Sequence, residues 1–449
     1  MVVSSIDNTR HRSREWFFRG AMILAAAVPL IVIGTQTLIR SASEWQQVYV
    51  RAGAQWLAGQ NIYSADIGYA YPPFAAMVAA PFAAVPEWLS RFTWFAFSAL
   101  AFLVMVAAAW RVATNGLPLR QISSLPKREW LAFACGLAIS LGFIFNAFAH
   151  QQTDVLIGGL MIAGASSLRR KNDMTGGTLI GLAAAFKASP LLWAPYLFWR
   201  KNWAAATLTA IVALSVNVLP DLIVRPPYDG LWIQGWIENF IWPTQRLDAD
   251  LGLWASAIEY NQSLAGTLQR LVNTELVFFP SPHVVARPVI DAITLKSCLY
   301  STFALLIVVS VVAAERGRHG MQFPPDLPDR EGYEISIVLI LMLMFSPMTG
   351  RPHFGILIVP AFCLARFALA TGNRAVAGLI GGAIALVAPP YRYLVPETVH
   401  AAILWGGAST AAAMLLWLGC VLVLCGGLDL SGFRHRQIAS ARNTRSPAQ

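Results

Sequence analysis

The sequence predicts an all-α polytopic membrane protein with about 12 transmembrane helices. Of its 449 residues, 56% are hydrophobic and 12% are charged, and the mean hydropathy is +0.55. A soluble chain usually carries about a quarter charged residues. Long apolar runs follow one another with few breaks, and about 20 apolar residues span the hydrocarbon core as a helix. Because backbone groups in lipid must be hydrogen-bonded within the protein, we expect these runs to be helical.

The basic residues indicate how the chain crosses the membrane. The net charge is +10, and Arg and Lys cluster before the first apolar run, after the last one and in loops between spans. This is the positive-inside pattern and not the pattern of a nucleic-acid-binding surface. Residues 1–15 and a disordered tail, 427–449, are therefore expected in the cytoplasm. The transmembrane domain covers 16–426, and its outer face carries a first outer loop, 41–71, and a long outer loop, 221–291.

The first part of the chain combines full spans with shorter segments. Residues 16–39 span the membrane and end outside, since the residues before them are basic. In 45–57, apolar residues four apart are mixed with polar ones, which predicts a helix lying along the membrane surface. Residues 72–85 have about half the usual spanning length and contain Pro81. If they crossed, the basic residues after the span at 92–110 would lie outside, so we predict a re-entrant or broken helix.

Further apolar runs predict the remaining spans. They lie at 130–148, 155–167, the short pair 177–186 and 190–199 with Lys187 at the bend, 203–219, 295–314, 335–345, 354–370, 376–388 and 401–424. No convincing internal repeat relates them, which disfavours a transporter because many transporters carry one. The five cysteines lie within or at the ends of apolar runs without metal-ligand spacing. The sequence has no P-loop or dinucleotide-binding motif either, so we expect no metal and no cofactor.

Polar residues on the predicted outer face are the candidates for chemistry, because ionisable groups at membrane depth are costly and mark functional sites by default. Aromatic rings stack on sugar rings, amides and carboxylates bind hydroxyl groups, and cations bind phosphate. A set that combines all of these suits a substrate made of a sugar and a phosphate. It includes Glu44, Tyr71, His150, Gln151, Gln152, Asp154, Lys187, Asn261, Gln262, Arg351 and His353.

Five sequence elements follow one another in a recognisable order. The first consists of Glu44, Trp45, Tyr49, Ala52, Gly53, Leu57, Ala58, Gly59, Asn61, Tyr63, Tyr71, Pro72, Pro73, Phe74 and Pro81. The others are Gln-Gln-Thr at 151–153, Gly-Leu-Ala through Lys-Ala-Ser-Pro at 181–190, Asn-Gln-Ser-Leu at 261–264 and Ser-Pro through His at 346–353. Together they resemble glycosyltransferase family 87, the polyprenyl-phosphate-mannose-dependent group with the multi-span GT-C fold. The chain departs from that family at Glu44, where Asp is usual, and at 151–153, where the Gly and Asn of a Gly-Gln-x-Asn element are replaced.

The resemblance implies transfer of a hexose, mannose in this family, from a polyprenyl-phosphate donor to a hydroxyl group of an acceptor. The acceptor is a glycolipid or polysaccharide at the outer, periplasmic face of the bacterial cytoplasmic (inner) membrane. In the GT-C fold an acidic residue just after the first span is the general base, and this position matches Glu44. A direct displacement inverts the anomeric configuration. The identity of the acceptor stays open, as does arabinose or another hexose in place of mannose.

Displacement of a lipid phosphate needs a base near the incoming hydroxyl group and cations around the departing phosphate. Glu44 is the expected catalytic base, and Lys187, Arg351 and His353 are expected to bind the donor phosphate. The residues expected to bind the sugar or the acceptor are Tyr49, Tyr71, His150, Gln152, Asp154, Asn261 and Gln262. The expected partners are the donor, the acceptor and membrane lipids, without nucleic acid, and we expect a monomer. The alternatives are a lipid-linked sugar transporter or flippase, and an O-antigen polymerase or ligase.

Overall fold

A computed structural model describes residues 34–35, 43–64, 68–124, 126–246, 251, 259–279, 281–320, 323–324, 327–387 and 395–426. The two predicted cytoplasmic segments, 1–15 and 427–449, lie outside these residues, as does almost all of the predicted first span, 16–39. The described chain is mostly helical, as predicted.

Helices of very different lengths alternate in the first half of the chain. Its α-helices are α1 (Arg51–Leu57), α2 (Pro73–Ala79), α3 (Glu87–Ala113), α4 (Lys127–His150), α5 (Asp154–Arg169), α6 (Asp173–Phe186), α7 (Trp193–Trp199) and α8 (Trp203–Ile223). A π-helix precedes α1 and three 3-10 helices lie between the others: Trp45–Val50, Ala80–Ala84, Leu119–Ser124 and Ser189–Leu192.

The second half adds further helices and one small sheet. The α-helices are α9 (Trp232–Trp236), α10 (Trp242–Gln245), α11 (Leu264–Asn273), α12 (Ala292–Gly320), α13 (Arg330–Phe345), α14 (Ile358–Thr371), α15 (Arg374–Val387), α16 (Glu397–Trp405) and α17 (Ala408–Leu424). A π-helix, Ile237–Ile241, follows α9, and a 3-10 helix, Arg351–Leu357, precedes α14.

A β-hairpin in the long outer loop corrects the prediction of an all-α protein. Strand β1 (Thr274–Val277) pairs antiparallel with β2 (His283–Ala286), and Thr274 lies opposite Ala286. Each strand has four residues, the lower limit at which alternation of apolar and polar residues indicates a strand. The sequence pattern was therefore too short to reveal the hairpin.

Among the described residues, five helices are long and apolar enough to cross a membrane. They are α3, α4, α8, α12 and the continuous helix Arg351–Thr371 that ends with α14. The pair α16 and α17 adds a sixth crossing if it counts as one span. The protein is thus a multi-pass membrane protein, while the number of about 12 spans stays a prediction.

The single helix predicted at 401–424 is instead two helices, α16 and α17, bent by 56°. Gly407 between them has a φ angle of +77°, a left-handed conformation that glycine adopts without steric cost. The break frees a carbonyl group at Trp405, which accepts a hydrogen bond of 3.0 Å from Nε of Arg270 in α11. Because this partner comes from a distant loop, the apolar run alone did not reveal the break.

Two other interruptions agree with the sequence. The helix Pro73–Ala84 is too short to be a full span, and α6 and α7 are separated at Lys187, whose backbone is extended. The short helix packs closely on α1, because a Cβ atom on Gly53 would lie 2.6 Å from the backbone nitrogen of Ala80. Glycine at this position therefore permits the contact. Residues 45–57 are helical as predicted, and their place on the membrane surface stays a prediction.

Ion pairs join the helices at the ends of α4, α5 and α14 that lie far from residue 151. Nε of Arg366 is 2.6 Å from Oε2 of Glu129, and both side chains are buried. Arg169 donates two hydrogen bonds of 2.8 Å to the carboxylate of Asp329 at the start of α13. These pairs fix the helix ends that are predicted to face the cytoplasm.

We predict that Arg366→Met lowers the unfolding temperature of the purified protein, because Glu129 is then a buried charge without its closest partner. The cost of breaking such a pair is roughly 3–5 kcal/mol. Adding Glu129→Met should recover most of the loss, since both charges are then gone. Thermal unfolding in detergent of both single variants and the double variant measures the coupling. If the unfolding temperature of the double variant falls by the sum of the decreases in the two single variants, the two side chains are not coupled, and the prediction is wrong.

Candidate active site

The site is organised by a tight connection between α4 and α5, residues 151–154, which we call the 151–154 turn. α4 ends at His150, and Gln151 has a left-handed backbone with φ of +55°. Such a conformation is uncommon for a residue other than glycine, and Gln151 stands where the family motif has Gly. α5 begins at Asp154. Of its four side chains, Gln151, Gln152 and Thr153 contact residues of the first outer loop, whereas Asp154 contacts Lys187.

Gln151 joins the first outer loop to α3. Its side-chain oxygen accepts hydrogen bonds from Oγ of Ser43 and, at 3.3 Å, from Nε of Arg91. Its backbone carbonyl accepts from Nε1 of Trp94 at 3.1 Å, and the residue is buried. Trp94 in turn stacks on Trp45, with ring centroids 3.8 Å apart. The start of the helix that carries Glu44 is thus held against α3 and the 151–154 turn.

The carboxylate of Glu44 lies next to this turn. Its Oε2 atom accepts a hydrogen bond of 2.6 Å from Nε2 of Gln152. Burial raises the pKa of Glu44 above its usual value, while the hydrogen bond from Gln152 and the positive charges of His150 and Lys187 act in the opposite direction. A carboxylate with a raised pKa is a better proton acceptor than an exposed one.

A second ionic cluster lies on the other side of the turn. Nζ of Lys187 is 3.2 Å from Oδ1 of Asp154 and contacts Nε2 of His353. Nδ1 of His353 lies 3.6 Å from the same carboxylate oxygen. Lys187 occupies the break after α6, where Pro190 lacks the amide hydrogen that a continuing helix needs. His353 lies in the 3-10 helix Arg351–Leu357.

Two tyrosine rings lie next to these groups. The hydroxyl groups of Tyr49 and Thr153 are 3.1 Å apart, so the third residue of the 151–154 turn also contacts the first outer loop. The rings of Tyr49 and Tyr71 have centroids 4.8 Å apart. Nζ of Lys187 lies 5.8 Å from the centroid of the Tyr71 ring, within range of a cation–π interaction.

A cavity of about 270 Å³ opens beside Lys187 and His353. Its walls are mainly apolar and include Leu192, Trp236, Phe240, Met342, Phe345 and Met348. Trp236 comes from the long outer loop and donates a hydrogen bond of 3.0 Å to the carbonyl oxygen of Ala70. The cavity combines a polar end with an apolar body, as expected for a ligand with a charged head and a hydrocarbon chain.

The sequence matches the model of glycosyltransferase family 87 over residues 69–347, more than half of the chain. The chain belongs to glycosyltransferase family 87. The matched region includes Asp154 and Lys187, whereas Glu44 and His353 lie outside it.

Curated relatives in this family share about a quarter of the aligned residues. A polyprenol-phosphate-mannose-dependent alpha-(1-2)-phosphatidylinositol mannoside mannosyltransferase of Mycobacterium tuberculosis (strain ATCC 25618 / H37Rv) is 26% identical over 242 residues, 50% of this chain and 53% of the relative. The protein of the same name in Mycolicibacterium smegmatis (strain ATCC 700084 / mc(2)155) is 27% identical, over 50% of this chain and 51% of the relative. The chain thus spans about half the length of the curated relatives it matches.

A solved structure of ArnT from Cupriavidus metallidurans bound to undecaprenyl phosphate aligns with a TM-score of 0.41 and 14% sequence identity. The alignment covers 91% of this chain and 77% of ArnT. The same protein in the apo state aligns with a TM-score of 0.39 at 15% identity, with the same coverage.

The structure brings most of the predicted site residues of this family 87 member together. Contacts link Tyr49, Tyr71, Asp154, Lys187 and His353. Glu44 joins this set through its hydrogen bond to Gln152, which belongs to the same turn as Asp154. His150 is exposed at the end of α4, close enough for its charge to act on Glu44. Arg351 begins the 3-10 helix of His353. The sequence did not identify Ser43, Arg91, Trp236 or Phe240, because no local pattern indicates that they contact Gln151 or line the cavity.

Asn261 and Gln262 lie apart from this set and bind backbone groups. The side chain of Asn261 contacts the carbonyl group of Pro347 and the amide of Thr349, both at 3.3 Å. Gln262 is fully buried and donates to the carbonyl oxygens of Glu259 and Leu404 at 2.6 and 2.7 Å. These contacts hold the loop before His353 and the break between α16 and α17. A role in sugar binding stays a prediction for both residues.

Gln262→Leu should lower the unfolding temperature of the protein, because it leaves two partly buried carbonyl groups, those of Glu259 and Leu404, without this donor. The loss of each buried hydrogen bond costs about 1–3 kcal/mol. Gln234→Leu is the matched control, since the amide of Gln234 is exposed and donates to Glu238 within α9 and the following π-helix. Equal unfolding temperatures for the two variants in detergent would show that Gln262 has no structural role.

Proposed function

We propose that the protein transfers a hexose, mannose by its family, from a polyprenyl-phosphate donor to a hydroxyl group of a glycolipid or polysaccharide. The reaction takes place on the periplasmic face of the inner membrane. The family and the donor named for the curated relatives support this reaction. The observation that carries it is that the 151–154 turn contacts both a partly buried carboxylate, Glu44, through Gln152, and the cation Lys187, with His353 beside it, through Asp154.

In the proposed reaction Glu44 accepts the proton of the acceptor hydroxyl group. The hydroxyl oxygen forms a bond to the anomeric carbon while the bond from that carbon to the phosphate oxygen breaks. The phosphate leaves with the electron pair as polyprenyl phosphate, and Lys187 and His353 stabilise its charge. Attack and departure take place on opposite faces of the sugar, so the configuration is inverted.

The apolar cavity is the proposed site for the first units of the polyprenyl chain. It begins at Lys187 and His353, the proposed phosphate-binding residues, and continues along aromatic and aliphatic side chains. A lipid flippase also needs a phosphate site and an apolar path, but it needs no proton acceptor. The partly buried Glu44, which is close enough to Lys187 for the two charges to interact, therefore favours a transferase over a flippase.

Glu44→Gln should reduce transfer of labelled mannose from polyprenyl-phosphate mannose to membrane lipids on the order of 10²- to 10⁴-fold, because the amide cannot accept the proton. Glu275→Gln is the matched control, since Glu275 is exposed in the β-hairpin and pairs with Arg287. Transfer by folded Glu44→Gln at the rate of the wild type would place the base elsewhere.

The pH dependence of kcat follows from the environment of Glu44. Because the base acts as a carboxylate, kcat should fall as the pH falls through the pKa of Glu44, which burial raises above its usual value. Gln152→Met removes a hydrogen bond that lowers this pKa. The acid limb of the pH profile, where kcat falls with falling pH, should therefore move to higher pH. Gln46→Met, which removes a hydrogen bond to Ser90, should leave the limb in place. A limb unchanged by Gln152→Met would mean that another group titrates.

A further inference from the structure

Three buried polar atoms at the site lack a hydrogen-bond partner among the residues that the structure describes. They are Oε1 of Gln152, Oδ2 of Asp154 and Nδ1 of His353. Buried polar atoms are almost always paired in folded proteins, with protein, water or ligand. Other buried polar atoms of the described chain also lack a partner, but these three lie close together, since His353 contacts Asp154 and Gln152 precedes Asp154 by two residues. A polar ligand at this turn would pair them.

The chemistry of two of these atoms can be assigned from their neighbours. The carboxylate of Glu44 can only accept, so the amide of Gln152 must face it with its NH₂ group, which leaves Oε1 as an acceptor. Oδ1 of Asp154 faces Lys187, and Oδ2 of the same carboxylate is a second acceptor. Both atoms therefore require a ligand that donates hydrogen bonds, as hydroxyl groups do and as phosphate esters do not.

The position of the two acceptors relative to the reacting groups identifies which part of the substrate they meet. The proposed reaction places the transferred sugar between the departing phosphate at Lys187 and the incoming hydroxyl group at Glu44. Asp154 contacts Lys187 and Gln152 contacts Glu44, so the two acceptors lie on the side chains next to these two groups. The two acceptors are therefore the unpaired polar atoms nearest to the sugar in the proposed reaction.

We propose that Oδ2 of Asp154 and Oε1 of Gln152 bind two hydroxyl groups of the transferred sugar and thereby determine which sugar is accepted. This inference rests on the proposed transferase function. The bond to Asp154 is the stronger determinant, because a hydrogen bond to a charged acceptor contributes more than one to a neutral amide. A sugar without the corresponding hydroxyl group leaves the carboxylate oxygen buried and unpaired, which disfavours it strongly.

The test compares donors that lack one hydroxyl group each. Polyprenyl-phosphate mannose and its 2-, 3-, 4- and 6-deoxy analogues are given to the purified full-length protein, and kcat/KM for transfer to membrane lipid is measured. In the wild type we expect kcat/KM for one deoxy donor to be on the order of 10- to 100-fold lower than for the mannose donor, because that donor cannot form the hydrogen bond to Asp154. We call this ratio the penalty for that donor. In Asp154→Ala the penalty for that donor should shrink to within about threefold.

This comparison separates sugar binding from the effect of Asp154 on Lys187, because the latter acts equally on every donor. Asp221→Ala is the matched control: Asp221 accepts from the amide of Trp232 at 2.8 Å, outside the site, and the wild-type pattern of penalties should persist. Should Asp154→Ala be too slow to measure, Asp154→Asn replaces it. The amide keeps an oxygen for Lys187 but presents an NH₂ group to the sugar, so the same penalty should shrink.

Identical penalties in the wild type and in the Asp154 variants would overturn the inference and leave the transferase function intact. A wild type that transfers mannose but shows no penalty above about threefold with any deoxy donor would overturn it as well. Failure of the wild type to transfer mannose itself would overturn the proposed function, and this inference with it.

Discussion

The left-handed conformation of Gln151 is the constraint on which the rest of the site depends. It ends α4 and starts α5 within three residues, so that the next side chains reach Glu44, Tyr49 and Lys187 in turn. A longer connection would not hold the carboxylate and the cation at a fixed separation. The backbone strain of a non-glycine residue in this region costs on the order of 1 kcal/mol. The hydrogen bonds of the Gln151 side chain offset it.

Helix ends, a helix break and a 3-10 segment supply the charged groups of the candidate site. Lys187 lies at the break after α6, His353 in a 3-10 turn before α14, and Glu44 at the start of a π-helix. Backbone groups freed at such breaks need partners, because no water reaches them in the bilayer. Arg270 and Gln262 supply those partners for the bend between α16 and α17. The same construction gives the side chains of the candidate site a fixed place among the helices.

The sequence predicted those features that depend on local composition. Apolar runs located the long helices, Pro72–Pro81 and Lys187 marked interruptions, and the candidate residues included most of the groups that meet at the site. It did not reveal contacts between distant segments, such as Ser43 with Gln151 or Trp236 with Ala70. Nor did it reveal the bend at Gly407, because the apolar run continues through it and the compensating Arg270 lies in another loop.

The anomeric configuration of the product tests most directly whether Glu44 and Lys187 act on opposite sides of the transferred sugar. Purified protein is given β-linked polyprenyl-phosphate mannose and membrane lipid, and the linkage in the isolated mannolipid is determined by proton NMR. A single displacement assisted by Glu44 predicts an α-linked product. A β-linked product would contradict it, since retention requires a second displacement for which this account provides no nucleophile.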